Sequence, residues 1–108
     1  MYITVENKDG SMIVSIEGRL DSITSSKLEK WADEAITPPK HNVVMDFSQL
    51  EYISSAGMRA ILNISKLINK HSYTFSICSA HDHIREIFEI SGFDSFIPIY
   101  RSVEDSLP

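Results

Sequence analysis

The sequence predicts an α/β domain built on a mixed, mostly parallel sheet of four to five strands, with an N-terminal hairpin and helices packed on it. Three observations carry this reading. Two stretches of strand character separated by a turn signal fill the chain up to Glu17; after Asp21 the apolar period changes from two to that of a helix; from there strand and helix patterns alternate. A strand that returns through a helix to a parallel neighbour does so by a right-handed crossover.

Residues 2–6 are rich in β-branched and aromatic side chains and form the first predicted strand. Asn7, Lys8, Asp9 and Gly10 follow, and an Asp-Gly pair favours a tight hairpin turn. Met12, Val14 and Ile16 then share one face of a second strand. Leu28, Trp31, Ala32, Ala35 and Ile36 form a helical stripe, with Trp31 expected at its buried centre. Ser22 or Ser25 is the expected cap, and Pro38 with Pro39 the stop. Residues 43–47, apolar but for Asp46, form a short run suited to a strand buried on both faces.

A polar loop leads to Gly57, after which Met58, Ile61, Leu62 and Ser65 lie on one helical face beside Ile64, Leu67 and Ile68. Residues 73–78 alternate large and small side chains as another strand. Ser79 to Asp82 has the spacing of a capping box ahead of Ile84, Ile87 and Phe88, and Gly92 suits a helix end. A short last strand is expected over 96–99 and a helical turn over 102–107.

At 108 residues, 43% hydrophobic and 23% charged, the chain is expected to be one domain spanning 1–108 with a single core. Ten basic against fifteen acidic residues leave a net charge of −5, which argues against nucleic acid and anionic membranes as partners. The single cysteine, Cys78, allows no internal disulfide and fits a reducing compartment. No apolar run approaches the ~20 residues that cross a bilayer. Residues 1–6 lack the basic flank and apolar core of a signal peptide. A cytoplasmic location follows as the expectation.

In a parallel sheet, binding sites lie beyond the carboxyl ends of the strands. Asp21 and Ser22, then Asp46, Ser48, Ser54 and Ser55, then Ser79 are expected there. One of the adjacent hydroxyls of Ser54 and Ser55 can cap the following helix, while Gly57 leaves backbone open to close approach. A serine hydrolase with Ser55 as nucleophile would need a base. None of His41, His71, His81 or His83 is placed near that loop by sequence, and the Gly-x-Ser-x-Gly elbow is absent. His81 and His83, two apart on a helix, should diverge, so no metal site is expected. No glycine-rich phosphate loop is present either. No catalysis and no cofactor are expected.

Gly18 to Asp21, Val43 to Ser48, and above all Tyr52-Ile53-Ser54-Ser55-Ala56-Gly57-Met58-Arg59-Ala60-Ile61-Leu62 resemble the STAS domain family, and within it the anti-sigma factor antagonists. Ile87 to Phe93 is similar to the family's final helix and its glycine stop. The resemblance implies a bacterial transcription regulator that works by partner switching. The unphosphorylated protein binds a serine kinase that doubles as anti-sigma factor, and so releases the sigma factor. Phosphorylation at the helix start ends that binding, and a serine phosphatase restores it. Aligned on the glycine, the acceptor is Ser55; many relatives carry Asp where this chain has Ser54, which makes Ser54 the alternative. The implied partner surface comprises Asp21, Ser22, Asp46, Ser54, Ser55, Ala56, Gly57 and Met58, with Asp21 as a kinase contact. A STAS scaffold without phosphorylation, or a nucleotide-sensing interaction module, is the alternative within the same family.

Overall fold

A computed structural model describes all 108 residues. The strands are β1 (Tyr2–Lys8), β2 (Ser11–Leu20), β3 (Asn42–Asp46), β4 (Leu50–Ile53), β5 (Phe75–Cys78) and β6 (Ile99–Tyr100). The helices are α1 (Ser22–Ala35), α2 (Ser55–Lys70), α3 (Asp82–Ser91) and α4 (Val103–Ser106), with a 3-10 turn at Phe93–Ser95. The strands form one mixed sheet in the order β1-β2-β3-β5-β6, and β4 attaches to β2 off this path. Only β1 runs antiparallel; β2, β3, β5 and β6 are parallel neighbours, as is the β2–β4 pair.

The two faces of the sheet are covered unequally. Val14, Ile16, Val43, Met45, Phe75 and Ile77 point to the face that carries the main core. Leu28 and Ala32 of α1, Met58, Ile61, Ile64 and Ile68 of α2, and Ile84 and Phe88 of α3 fill it from above. The alternate side chains Ile13, Val44 and Cys78 point the other way, where Val103 and Leu107 of the C-terminal segment cover them. This period-2 partition is why Val43, Val44 and Met45 are apolar in succession: β3 is buried on both sides.

The fold class is as the sequence predicts, with a sixth strand and shifted ends. β4 lies in the stretch expected to be loop, because its burial does not alternate: Leu50 and Ile53 are buried while Glu51 and Tyr52 between them are exposed. The last strand starts at Ile99 and not at Phe96, since residues 93–95 coil into the 3-10 turn and Phe96 stays exposed. Trp31 is half-buried against the core, because the centre of the α1 stripe is Leu28, Ala32 and Ile36 and Trp31 stands at its edge.

Both predicted caps are corrected. Asp21, not Ser22 or Ser25, caps α1: its carboxylate accepts from the N–H of Ile23 at 3.0 Å and of Thr24 at 2.9 Å, and Thr24 Oγ1 accepts from the Asp21 N–H in return. Ser25, one turn in, is buried and donates its hydroxyl back to the Asp21 carbonyl. Ser79 does not cap α3. It has φ +60° and its hydroxyl donates to the Arg101 carbonyl at 3.2 Å, so it joins the ends of β5 and β6. His81 occupies the N-cap position of α3 and gives no side-chain cap. Gly92 ends α3 in the left-handed conformation, as expected.

Candidate functional site

Two chain crossings beyond the sheet make the site: the exit from β2 into α1, and the exit from β4 into α2. They are held side by side because the second half of β2 pairs with β4, matching Arg19 with Tyr52 and Leu20 with Ile53. The ladder continues one step past the strand, where the Ser54 N–H donates to the Leu20 carbonyl at 2.8 Å. The starts of the two helices, at Ser22 and Ser55, are therefore neighbours.

Ser54 and Ser55 have different environments. Ser54 is the N-cap of α2, extended and half-buried, and its Oγ accepts from the Gly57 N–H at 3.1 Å. Ser55 is the first residue of the helix and is exposed. Ala56 next to it is half-buried, whereas Gly57 and Met58 are buried. The expectation that Gly57 offers its backbone to a partner is corrected. A Cβ there would stand 2.8 Å from Ile53 Cγ1 and 3.0 Å from both the Cβ and the carbonyl oxygen of Leu20. The close approach is internal, and Gly57 lets α2 settle onto the ends of β2 and β4. Gly57 and Met58 thus shape the site from below and present no partner surface.

The two acidic residues do local structural work, and only Asp21 adjoins this helix start: Asp46 pairs with Ser15 and Cys78, away from the Leu20–Ile53 end of the sheet. Asp21 is half-buried at the α1 cap, and its carboxyl is held below the usual range by the Thr24 N–H first, with the Thr24 hydroxyl, the Ile23 N–H and the Arg19 charge adding to it. Asp46, half-buried at the end of β3, accepts from the Ser48 N–H at 2.9 Å and fixes the turn that leads to β4. Ser22 is exposed on the first turn of α1.

The structure adds residues that the sequence pattern leaves out. Ile23 is 68% exposed beside Ser22, and Tyr52 is exposed with the Arg19 guanidinium 4.2 Å from its ring centroid. Ile23 falls outside the Leu28–Ala32–Ile36 stripe, and that mismatch is the signal by which it could have been found. Between α1 and α2 a shallow groove of about 280 Å³ is lined by Ser22, Ser26, Glu29, Ala56, Arg59 and Asn63 among others. Asn63 spans it, donating to Glu29 at 3.1 Å.

Two histidines depart from expectation. His81 and His83 do not diverge; their rings stack with centroids 6.0 Å apart. Both reach the loop and strand ahead of α2, which the sequence did not place near any histidine. His81 Nε2 lies 2.9 Å from the Ser48 carbonyl oxygen, and His83 Nε2 lies 2.9 Å from that of Glu51. A carbonyl only accepts, so each Nε2 carries the proton and is spent on backbone. Neither of these nitrogens is available as a base toward Ser55. Cys78 is buried in the reverse-face cluster, and burial pushes its thiol up to about 11.

Residues 2–106 match the STAS domain family. The chain belongs to that family. The STAS chain is 35% identical over 104 residues to a Bordetella bronchiseptica protein provisionally named anti-sigma factor antagonist BtrV, a match covering 96% of this chain and 90% of that one. A crystal structure of a provisionally named anti-sigma factor antagonist from Thermotoga maritima superposes with a TM-score of 0.90 at 19% identity, covering 96% of this chain and 90% of that one. The Bacillus cell fate determinant SpoIIAA in its phosphorylated form gives a TM-score of 0.73 at 15% identity over 97% of this STAS chain and 96% of that one. At these identities the two structures establish a common fold. No helix of this STAS chain is long and apolar enough to cross a membrane.

Proposed function

We propose that this chain is an anti-sigma factor antagonist of the bacterial cytoplasm whose binding is switched by phosphorylation of Ser55. Unmodified, it binds a serine kinase that is also an anti-sigma factor, and the sigma factor is released. With phosphate on Ser55 that binding is lost, and a serine phosphatase restores it. The chain itself catalyses nothing and needs no cofactor; it is the substrate and the ligand.

The observation that carries this reading is the division of labour between adjacent hydroxyls. Ser54 Oγ is engaged by the Gly57 N–H, so removing or modifying it uncaps α2. Ser55 is exposed at the first helical position and can be modified with no backbone hydrogen bond broken. A phosphate there adds about −1.5 to −2 charges beside a helix N-terminus, whose dipole tolerates them. A partner seated over Ser22, Ile23 and Tyr52 would instead meet that charge desolvated next to Asp21. The same modification then leaves the fold intact and opposes association.

Capture of partners from a native lysate, followed by ATP and intact mass spectrometry, tests this reading. One phosphate is expected on the parent protein and none on Ser55→Ala, which should still bind the kinase. Ser55→Asp should bind poorly yet melt no lower than the parent. Ser54→Ala should accept phosphate but lose about 1 kcal/mol of stability with its cap. Full phosphorylation of Ser55→Ala would move the acceptor elsewhere.

A further inference from the structure

We propose that phosphate on Ser55 is held within the same chain by Arg59, and that the pair closes over the mouth of the groove between α1 and α2. This rests on Ser55 as the modified residue and adds what becomes of the phosphate once attached. With about 100° per residue, Arg59 is one turn beyond Ser55 and only about 40° around the helix from it. It stands between Ser55 and the groove-lining Ala56. Long side chains on a helix lean toward its N-terminus, which brings the Arg59 guanidinium over the turn that carries Ser55.

The charges around it favour the assignment. Arg59 is exposed and takes part in none of the ion pairs, which join Lys8 to Glu104 and Arg85 to Asp82 and Glu89. Glu29, the acid lining the same groove, is engaged by Asn63 at 3.1 Å. Arg19, the other arginine near the site, is committed to the Tyr52 ring at 4.2 Å. An acid one turn N-terminal to a base is the favourable order for such a pair. A phosphate offers the oxygens that a guanidinium can grip with two parallel hydrogen bonds. The groove wall opposite carries the hydroxyl of Ser22, a further donor for a phosphate drawn inward, whereas that of Ser26 donates to the Ser22 carbonyl at 3.3 Å. One modification would then alter two groups on the partner face, adding an anion and withdrawing a free cation.

The test uses full-length protein with phosphoserine inserted at position 55 during translation, in the parent, Arg59→Gln and Arg59→Lys backgrounds. The phosphorus NMR signal is followed through the second ionisation of the phosphate. Pairing with Arg59 should lower the parent's titration midpoint by roughly 0.2–0.4 of a pH unit relative to Arg59→Gln. Arg59→Lys should recover part of that difference, since an ammonium supplies charge without the planar fork. Equal midpoints in the parent and Arg59→Gln would overturn the pairing. Failure of Ser55 as a kinase substrate would show separately, as no added mass on incubation with kinase and ATP, and would leave the titration result standing.

Discussion

Gly57 and Asp21 show how much of the site is decided by single atoms. At Gly57 the obstacle to a methyl group includes the Leu20 carbonyl oxygen at 3.0 Å, a backbone atom that no rotamer change can move. Gly57→Ala is expected to lose on the order of 1 kcal/mol net, the crowding outweighing the ~1 kcal/mol that Ala gains over Gly within a helix. Thermal melting should show this as a midpoint roughly 4–8 °C lower. At Asp21 the lowered carboxyl pKa means that the charge stabilises the folded state at neutral pH. That contribution is present above the unfolded value near 3.9 and is lost as pH falls through the lower folded value. Asp21→Asn keeps an acceptor oxygen without the charge. Its melting deficit against the parent should be largest near neutrality and vanish in strong acid; a deficit independent of pH would assign the loss to geometry. Neither role was legible from residue type alone. The family resemblance implies a kinase contact at Asp21 and says nothing of its cap, because the reciprocal contact with Thr24 depends on the extended backbone there.

β4 is the element that sequence patterning missed, and its irregularity explains both the miss and its use. Leu50 pairs with Gly18 and Tyr52 with Arg19, so the register shifts and Glu51 is the extra residue. A bulge interrupts period-2 alternation, which is the signal that strand recognition relies on. It also frees a carbonyl from the ladder, and His83 takes that carbonyl. His81 takes the Ser48 carbonyl on the same segment, so α3 pins the approach to α2 at two points. The long helix and the terminating Gly92 were legible, since their periodicity and end signal are local; contacts between residues 33 or 32 apart are not. Each such bond contributes about 0.5–1.5 kcal/mol net, toward the lower end where exposed. The double variant His81→Ala/His83→Ala should speed amide hydrogen exchange across residues 48–53 while the amides of β3 and β5 keep their protection. Uniform acceleration throughout the sheet would instead mean that the histidines support global stability and not the local tie.

For the molecule as a whole, the alternation of strands and helices was enough to give the parallel sheet. It could not say which face of the sheet each helix covers. The main core takes α1, α2 and α3, and the candidate site stands at the ends of β2 and β4 on the edge of that layer. The reverse face is closed by the C-terminal segment alone, with Val103 and Leu107 over Ile13, Val44 and Cys78, and Lys8 paired to Glu104 at 3.5 Å. Because burial raises the Cys78 thiol to about 11, the contribution of its neutral form to stability is complete below the unfolded value near 8.5 and is lost as pH rises through about 11. Native protein at pH near 8.5 should therefore react slowly with iodoacetamide. Val103→Asp or Leu107→Asp should speed the reaction by loosening the cover; unchanged labelling would mean that the sheet itself, and not this segment, protects the thiol.

β2 has a consequence for timing. Its first half carries β1 and β3, and its second half carries β4 and with it the start of α2. A strand shared in this way ties the serine-bearing end to the body of the sheet through a continuous backbone ladder. If Ser55 is the switch, its exposed place on the helix lets the two states differ in surface charge on one scaffold. The response would then be as quick as binding and release allow, with no wait for a refolding step.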